Sequence, residues 1–356
     1  MPHSFRPELR EVDPIVMRRR AMIAGLLGLT SAAALPAWAE AAALTPDADH
    51  TTTRGSWASE FNTAAWELDG LGARYVTHEG ALDRHTIMET GLWLAAQLKL
   101  LSERAPAHRK SEASRMAAEA ASFAAGCYID FGNNKAATDL YDKAYMLAED
   151  HPDLRAFIWT QWNWVPMYQG HWHKVQRRSD QAIRMAEQAG GFGLLMGYAH
   201  RAKACAVFGD ATGAREALDG MTAALSRVPG ADAPHSALRY SLSKAHFSPS
   251  TVYAQLGDAD RQSDHQYRAL EDPTLGWIDR NLMKLGQLSL DRDPEFAAQR
   301  IRFHVLGLPR DAFNHCVKAE AERQLAKLAG RRGAGREVRA AQNYLRTVVV
   351  DPATAA

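Results

Sequence analysis

Cysteine is scarce in this chain: three occur, Cys127, Cys205 and Cys316, an odd number set far apart in apolar helical surroundings. That usage excludes a disulfide-built scaffold and reads as reduced, buried thiols, which suits the cytoplasm. A surplus of charge is missing as well. Lysine and arginine total 42 against 41 aspartates and glutamates, a formal net charge of +1, which lacks the basic excess of a dedicated nucleic-acid binder. Long apolar runs are also wanting. The best candidate, Ala21 to Ala39, is interrupted by Gly25, Gly28, Thr30, Ser31 and Pro36, too weak for a permanent transmembrane helix of about 20 apolar residues. No HExxH, no CxxC and no serine in a nucleophile elbow is present, so no metal, cofactor or enzymatic role is expected. Alternating valine and isoleucine, the mark of a strand, is absent before "RTVVVD" near the end.

What is there begins with "VMRRRAMIAGLLGLTSAAALPAWAEAA". Arg18, Arg19 and Arg20 precede the uncharged stretch, and Ala37-Trp38-Ala39 offers small residues to a signal peptidase. The pair Arg19-Arg20 before Ala21, Met22 and Ile23 resembles a twin-arginine signal, with Arg18 standing where a small polar residue is usual. Cleavage after Ala39 makes the protein an exported one; an uncleaved segment makes it a cytoplasmic one with a linker there. The domain expectation is a disordered arm over 1–17, the signal-like or linker segment over 18–39, a linker over 40–60, a helical domain over 61–346 and a tail over 347–356.

From about Thr86 onward the chain reads with helical period, rich in Ala, Leu, Met, Gln, Glu and Arg, which predicts an all-α fold. Four segments repeat a layout of apolar helix, tight turn and second helix, with turns "FGN", "QGH", "FGD" and "LGD" at Gly132, Gly170, Gly209 and Gly257. Their spacing is slightly wider than the 34-residue period of a tetratricopeptide repeat, and the longer third interval holds an insertion, "RVPGADAPHSA". In the first copy Tyr128 precedes the turn, and Ala137, Tyr141 and Ala144 follow it at tetratricopeptide positions. There small residues let two helices approach while aromatics fill the groove beside them. The expected fold is therefore a tetratricopeptide-like right-handed solenoid of helical hairpins. Pro166 in the second copy predicts a kink or an early helix end, and Ser248-Pro249 reads as cap and first residue of a helix.

The stretches "ELDGLGARYVTHEGALDRHTIMETGLWLAAQL" and "ASRMAAEAASFAAGCYIDFGNNKAATDLYDKAYMLAE" resemble actinobacterial transcriptional regulators in which a helix-turn-helix domain is followed by a tetratricopeptide-like region. Such regulators often carry a linker like "RRRAMIAGLLGLTSAAALPAWA". The resemblance implies a regulatory, non-catalytic protein that binds a peptide or protein, with pairing into a homodimer. "MPHSFRPELREVDPIV" holds no helix able to enter a groove, so direct DNA binding is not expected. The alternative is an exported helical-repeat scaffold.

Repeat register assigns Phe157, Thr160, Trp164, Met167, His200, Lys203, Lys244 and Phe247 to the concave groove, where aromatics supply affinity and lysines read a carboxylate. The same aromatics could instead only seal neighbouring repeats. "GGFGLLMG" follows a helix rather than a strand, so its glycines end one repeat and open the next. "HWH", His171 and His173, places its rings on different helix faces and reads as surface or packing. The basic stretch from Lys318 to Arg346 reads as a solvated outer face.

Overall fold

The computed structural model describes residues 54–77, 81–188, 191–227, 242–272, 275–309 and 313–348. The arm, the signal-like segment and most of the insertion lie outside the described residues. Every regular element among the described residues is helical, and none is long and apolar enough to cross a membrane. The helices are α1 (Arg54–Thr77), α2 (Ala81–Arg104), α3 (Ala107–Asp130), α4 (Asn134–Leu147), α5 (Pro152–Gln161), α6 (Trp164–Tyr168), α7 (Trp172–Ala186) and α8 (Gly191–Val207). They continue with α9 (Ala211–Leu225), α10 (Leu242–Leu256), α11 (Ala259–Leu270), α12 (Trp277–Leu288), α13 (Pro294–Leu306), α14 (His315–Ala329) and α15 (Arg336–Thr347).

The four turns share one construction. Gly132, Gly170, Gly209 and Gly257 sit at φ of 78°, 73°, 76° and 82°, the left-handed region that a side chain resists. The next N–H reaches back to close the preceding helix: Asn133 to Tyr128 at 2.9 Å, His171 to Pro166 at 2.8 Å, Asp210 to Cys205 at 2.9 Å and Asp258 to Tyr253 at 3.0 Å. In three turns that residue also caps the following helix, the carboxylate or amide oxygen accepting from Ala136, Gly213 and Arg261. Glycine then Asn or Asp therefore ends one helix and starts the next within two residues, which folds each pair into a hairpin.

The hairpins stack. The first helices α3, α5, α8, α10, α12 and α14 contact one another in order, and α14 packs back against α3 and α6. That closure is fixed at Asp130, which accepts from Asn314 Nδ2 at 3.5 Å and from the Cys316 thiol at 3.2 Å. α2 covers the outer flank of α3, where Ala117, Ala120, Ala121 and Ala124 are fully buried and Gly91 lies against Ala120 and Ala124. The three cysteines are free and buried.

The break at Pro166 takes a specific form. α5 ends at Gln161 and α6 begins at Trp164. The carbonyl of Trp162, which proline cannot serve, accepts instead from Val165 at 3.3 Å and from Arg178 Nη1 at 3.4 Å. The buried Asn163 amide donates to the Val175 carbonyl and the Ser179 hydroxyl. Pro249 departs from expectation: it lies inside α10 rather than at its start. The missing N–H costs about 3 kcal/mol, and burial of Phe247, Ser248, Ser250, Thr251 and Val252 between neighbouring helices outweighs it.

The basic C-terminal stretch also corrects its reading. Lys327 donates to the carbonyls of Ala254 and Gln255 at 2.9 and 3.1 Å, at the negative end of α10. Arg323 binds Gln255 and Glu320, Lys318 the carbonyl of Val348 and Arg331 that of Asp291. These four staple helices together, while Arg332, Arg336, Arg339 and Arg346 are the exposed remainder.

Candidate functional site

The inner faces of the stacked helices line a partly open cavity of ≈ 170 Å³. Its wall is mostly apolar: Phe123, Phe157, Trp164, Phe247, Trp277 and Leu282 contribute from five helices. α8 supplies the polar side. His200 and Lys203 are one turn apart on it and share a face, and the helix approaches its neighbours closely because Gly193 meets Ala156 on α5 and Gly197 meets Ile183 on α7.

His200 is 3% exposed and Lys203 6%. The His200 ring stands edge-on to Trp164, centroids 5.0 Å apart, and the Lys203 ammonium lies 5.8 Å from the centre of the same indole. Among the described residues neither ring nitrogen of His200 has a hydrogen-bond partner, nor has the fully buried Tyr141 hydroxyl. Lys203 forms no hydrogen bond or ion pair among the described residues. Burial, reinforced by the Lys203 charge, pushes His200 down to about 3, so the ring is neutral. Burial brings Lys203 down to about 8, Glu320 pulling the other way and Arg323 adding to the fall. Glu320 is itself raised by burial, but Arg323 and Lys203 outweigh that and hold it at about 2.

At the α3 end Tyr75, Tyr141 and Tyr168 are pushed well above the ordinary phenol range, chiefly by burial. The Cys316 thiol is raised by burial and by Asp130, so it stays protonated and donates. A thiol so placed is the reverse of an activated nucleophile. A second cavity of ≈ 260 Å³ adjoins the first, lined by Met167, Gln169, Trp172, Glu320 and Arg323 and sharing Tyr168 and Lys203 with it. Lys203 therefore stands between an apolar inner chamber and a polar outer one.

Of the residues that register assigned to a groove, Phe157, Trp164, His200, Lys203 and Phe247 meet around the inner cavity. Thr160 does not: it is fully buried and its hydroxyl donates to the Phe157 carbonyl at 2.6 Å. Gln161 lines the chamber in that part of the wall, next to the break before Pro166. Met167 is buried against Val175 and faces the outer cavity. The side chain of Lys244 lies outside the described residues. Sequence reasoning missed Tyr141, read as packing, and Asp130, Trp277 and Asp279, which enter only because α3, α12 and α14 meet. Trp159 and Trp162 pack outside the cavity, edge-to-face at 5.5 Å beneath Arg178. His171 is exposed, and His173 stacks on Phe208 at 4.5 Å. Among the described residues no three His, Cys, Asp or Glu side chains gather as a metal requires.

Compared with models of protein families, with curated proteins and with solved structures, the chain matches none.

The His200 environment makes stability depend on pH. Unfolded, the ring takes a proton near 6.5; folded, only near 3. Between those values the unfolded state holds more protons, so stability falls as pH falls, and the contribution present above 6.5 is lost toward 3. Urea unfolding of wild type and His200→Gln at about pH 5.5 and 4.5 is expected to show wild type losing about 1.4 kcal/mol more over that unit. Parallel losses would mean the ring protonates in the folded state.

Proposed function

We propose that the chain is a non-catalytic, tetratricopeptide-like helical-repeat protein that binds a peptide or protein partner, as a regulatory protein of the kind its sequence resembles. The observation that carries this reading is the inner cavity, whose aromatic wall also holds His200 and Tyr141, without hydrogen-bond partners among the described residues, and Lys203, with no ion pair there. Buried polar groups ordinarily have partners, and a binding site is where they are kept for a ligand. The volume sets the mode. A cavity of ≈ 170 Å³ is below the roughly 300–1,000 Å³ of drug-sized pockets, so a partner inserts one residue rather than an extended strand.

A photo-crosslinking amino acid at Gln161, on the cavity wall, tests this in cells producing the protein. The expected result is a discrete adduct from position 161 and none from Trp66, which is 77% exposed on α1. Equal labelling from both positions, or none from 161, would overturn the reading. The arginine-led segment supports a second reading, an exported scaffold. Determining the N-terminal residue of the native protein in cytoplasmic and exported fractions decides it: a start at Glu40 outside the membrane establishes export.

A further inference from the structure

We propose that the inner cavity takes a single-ring carboxylic acid, its ring against Trp164, Phe157 and Phe247 and its carboxylate on Lys203, with His200 and Tyr141 as further donors. This rests on the reading that the cavity is the binding site, and names the chemistry of what enters it.

Size is the first argument. An apolar cavity of about 150 Å³ holds one benzene, and this one measures ≈ 170 Å³ with six-membered and indole rings on its wall. A single ring suits that volume. Polarity is the second. Among the described residues the Tyr141 hydroxyl and the His200 nitrogens have no hydrogen-bond partner, the Lys203 ammonium has only the face of Trp164 near it, and each of the three side chains can donate a proton to a ligand. The acids on the wall are engaged: Asp130 accepts from Asn314 and Cys316, and Asp279 is not free. Lys203 can only donate, while neutral His200 and Tyr141 can donate or accept, so an acceptor is the ligand that all three can serve.

Charge is the third. Glu320, the carboxylate whose charge acts on Lys203, is taken up by Arg323 and by Gln324 at 2.8 Å. Lys203 is left without a contacting counter-ion in a place shielded from water, where a charge-assisted hydrogen bond is strong. An amine would meet the Lys203 charge and be repelled. One lysine with two neutral donors also suits a monoanion better than a phosphate, which calls for more positive charge. Because Lys203 borders both chambers, the acid can be a free small molecule or the C-terminal residue of a partner whose chain leaves through the outer cavity.

Isothermal titration calorimetry on the full chain distinguishes these. The probes are phenylacetate and 3-phenylpropionate, their amides, phenethylamine, and a short peptide ending in phenylalanine with a free or amidated carboxyl. Expected is binding of the acids at least tenfold tighter than of the matching amides and amine, with the difference lost in Lys203→Met. Binding of the free acids identifies a small-molecule ligand; binding of the free-carboxyl peptide alone identifies a partner's C-terminus. Amides binding as tightly as acids, or acids binding Lys203→Met with unchanged affinity, would overturn the carboxylate assignment while leaving the cavity a binding site. No binding by any probe at millimolar concentration, with the protein folded by its thermal transition, also overturns it, and the crosslink from position 161 then judges the wider reading separately.

Discussion

Replacing Gly193 by leucine is expected to destabilise the protein by roughly 3 kcal/mol or more. A Cβ at this position would lie 2.5 Å from the Cβ of Ala156 and 2.7 Å from the backbone nitrogen of Phe157. Neither can move alone, because Ala156 is fully buried and the second contact is main chain. The only relief is to separate α8 from α5, and that moves apart the two helices from which Phe157 and His200 line the cavity. Alanine tests the same point by its sign. In an exposed helix interior Gly→Ala stabilises by about 1 kcal/mol, and Gly70 on α1, with nothing within 4 Å, is expected to behave so. Gly193→Ala is expected to go the other way. Urea midpoints with an unchanged slope measure both. A stabilised Gly193→Ala would show that the two helices do not meet this closely.

That pair of glycines also marks how far a sequence can be read. The turn glycines were legible because everything they need is adjacent: a left-handed residue, then an Asn or Asp that caps the next helix. Repeat register followed the inward face through Phe157, His200, Lys203 and Phe247. It slipped at Thr160 because the break forced by Pro166 turns the chain just there. It misjudged Pro249 because burial of the surrounding turn outweighs a local penalty that is visible in sequence. The closure of α14 on α3 was not legible at all. Asp130 and its donors Asn314 and Cys316 are separated by 184 and 186 residues, and their meeting depends on the accumulated rotation of every pair between them. The same holds for Tyr141. Its identity says aromatic packing; only the closed stack puts its unpartnered hydroxyl on the wall of a cavity that His200 and Lys203 also line.

Lys203→Met is expected to stabilise the unliganded protein by about 3 kcal/mol at neutral pH. Methionine keeps an unbranched apolar stem and removes the charge that lies over Trp164. The magnitude follows from the fall of the ammonium from 10.5 to about 8, caused first by burial. The sign can be followed through the titration. Below about 8 both folded and unfolded states hold the proton, and the full cost of burying the charge is present. Between about 8 and 10.5 the folded state releases the proton first, so the unfolded state holds more, and wild-type stability rises with pH. Above 10.5 the cost is gone. The gap between variant and wild type should therefore be widest at neutral pH and close as pH rises, measured by urea unfolding across that range. A ligand carboxylate should close it too, by pairing with the ammonium: phenylacetate raises the wild-type midpoint in proportion to its occupancy and leaves Lys203→Met unmoved. If Lys203→Met is instead the less stable protein, Glu320 already satisfies Lys203 within the fold. The buried ammonium would then be a brace between α8 and α14 rather than a charge held for an anion.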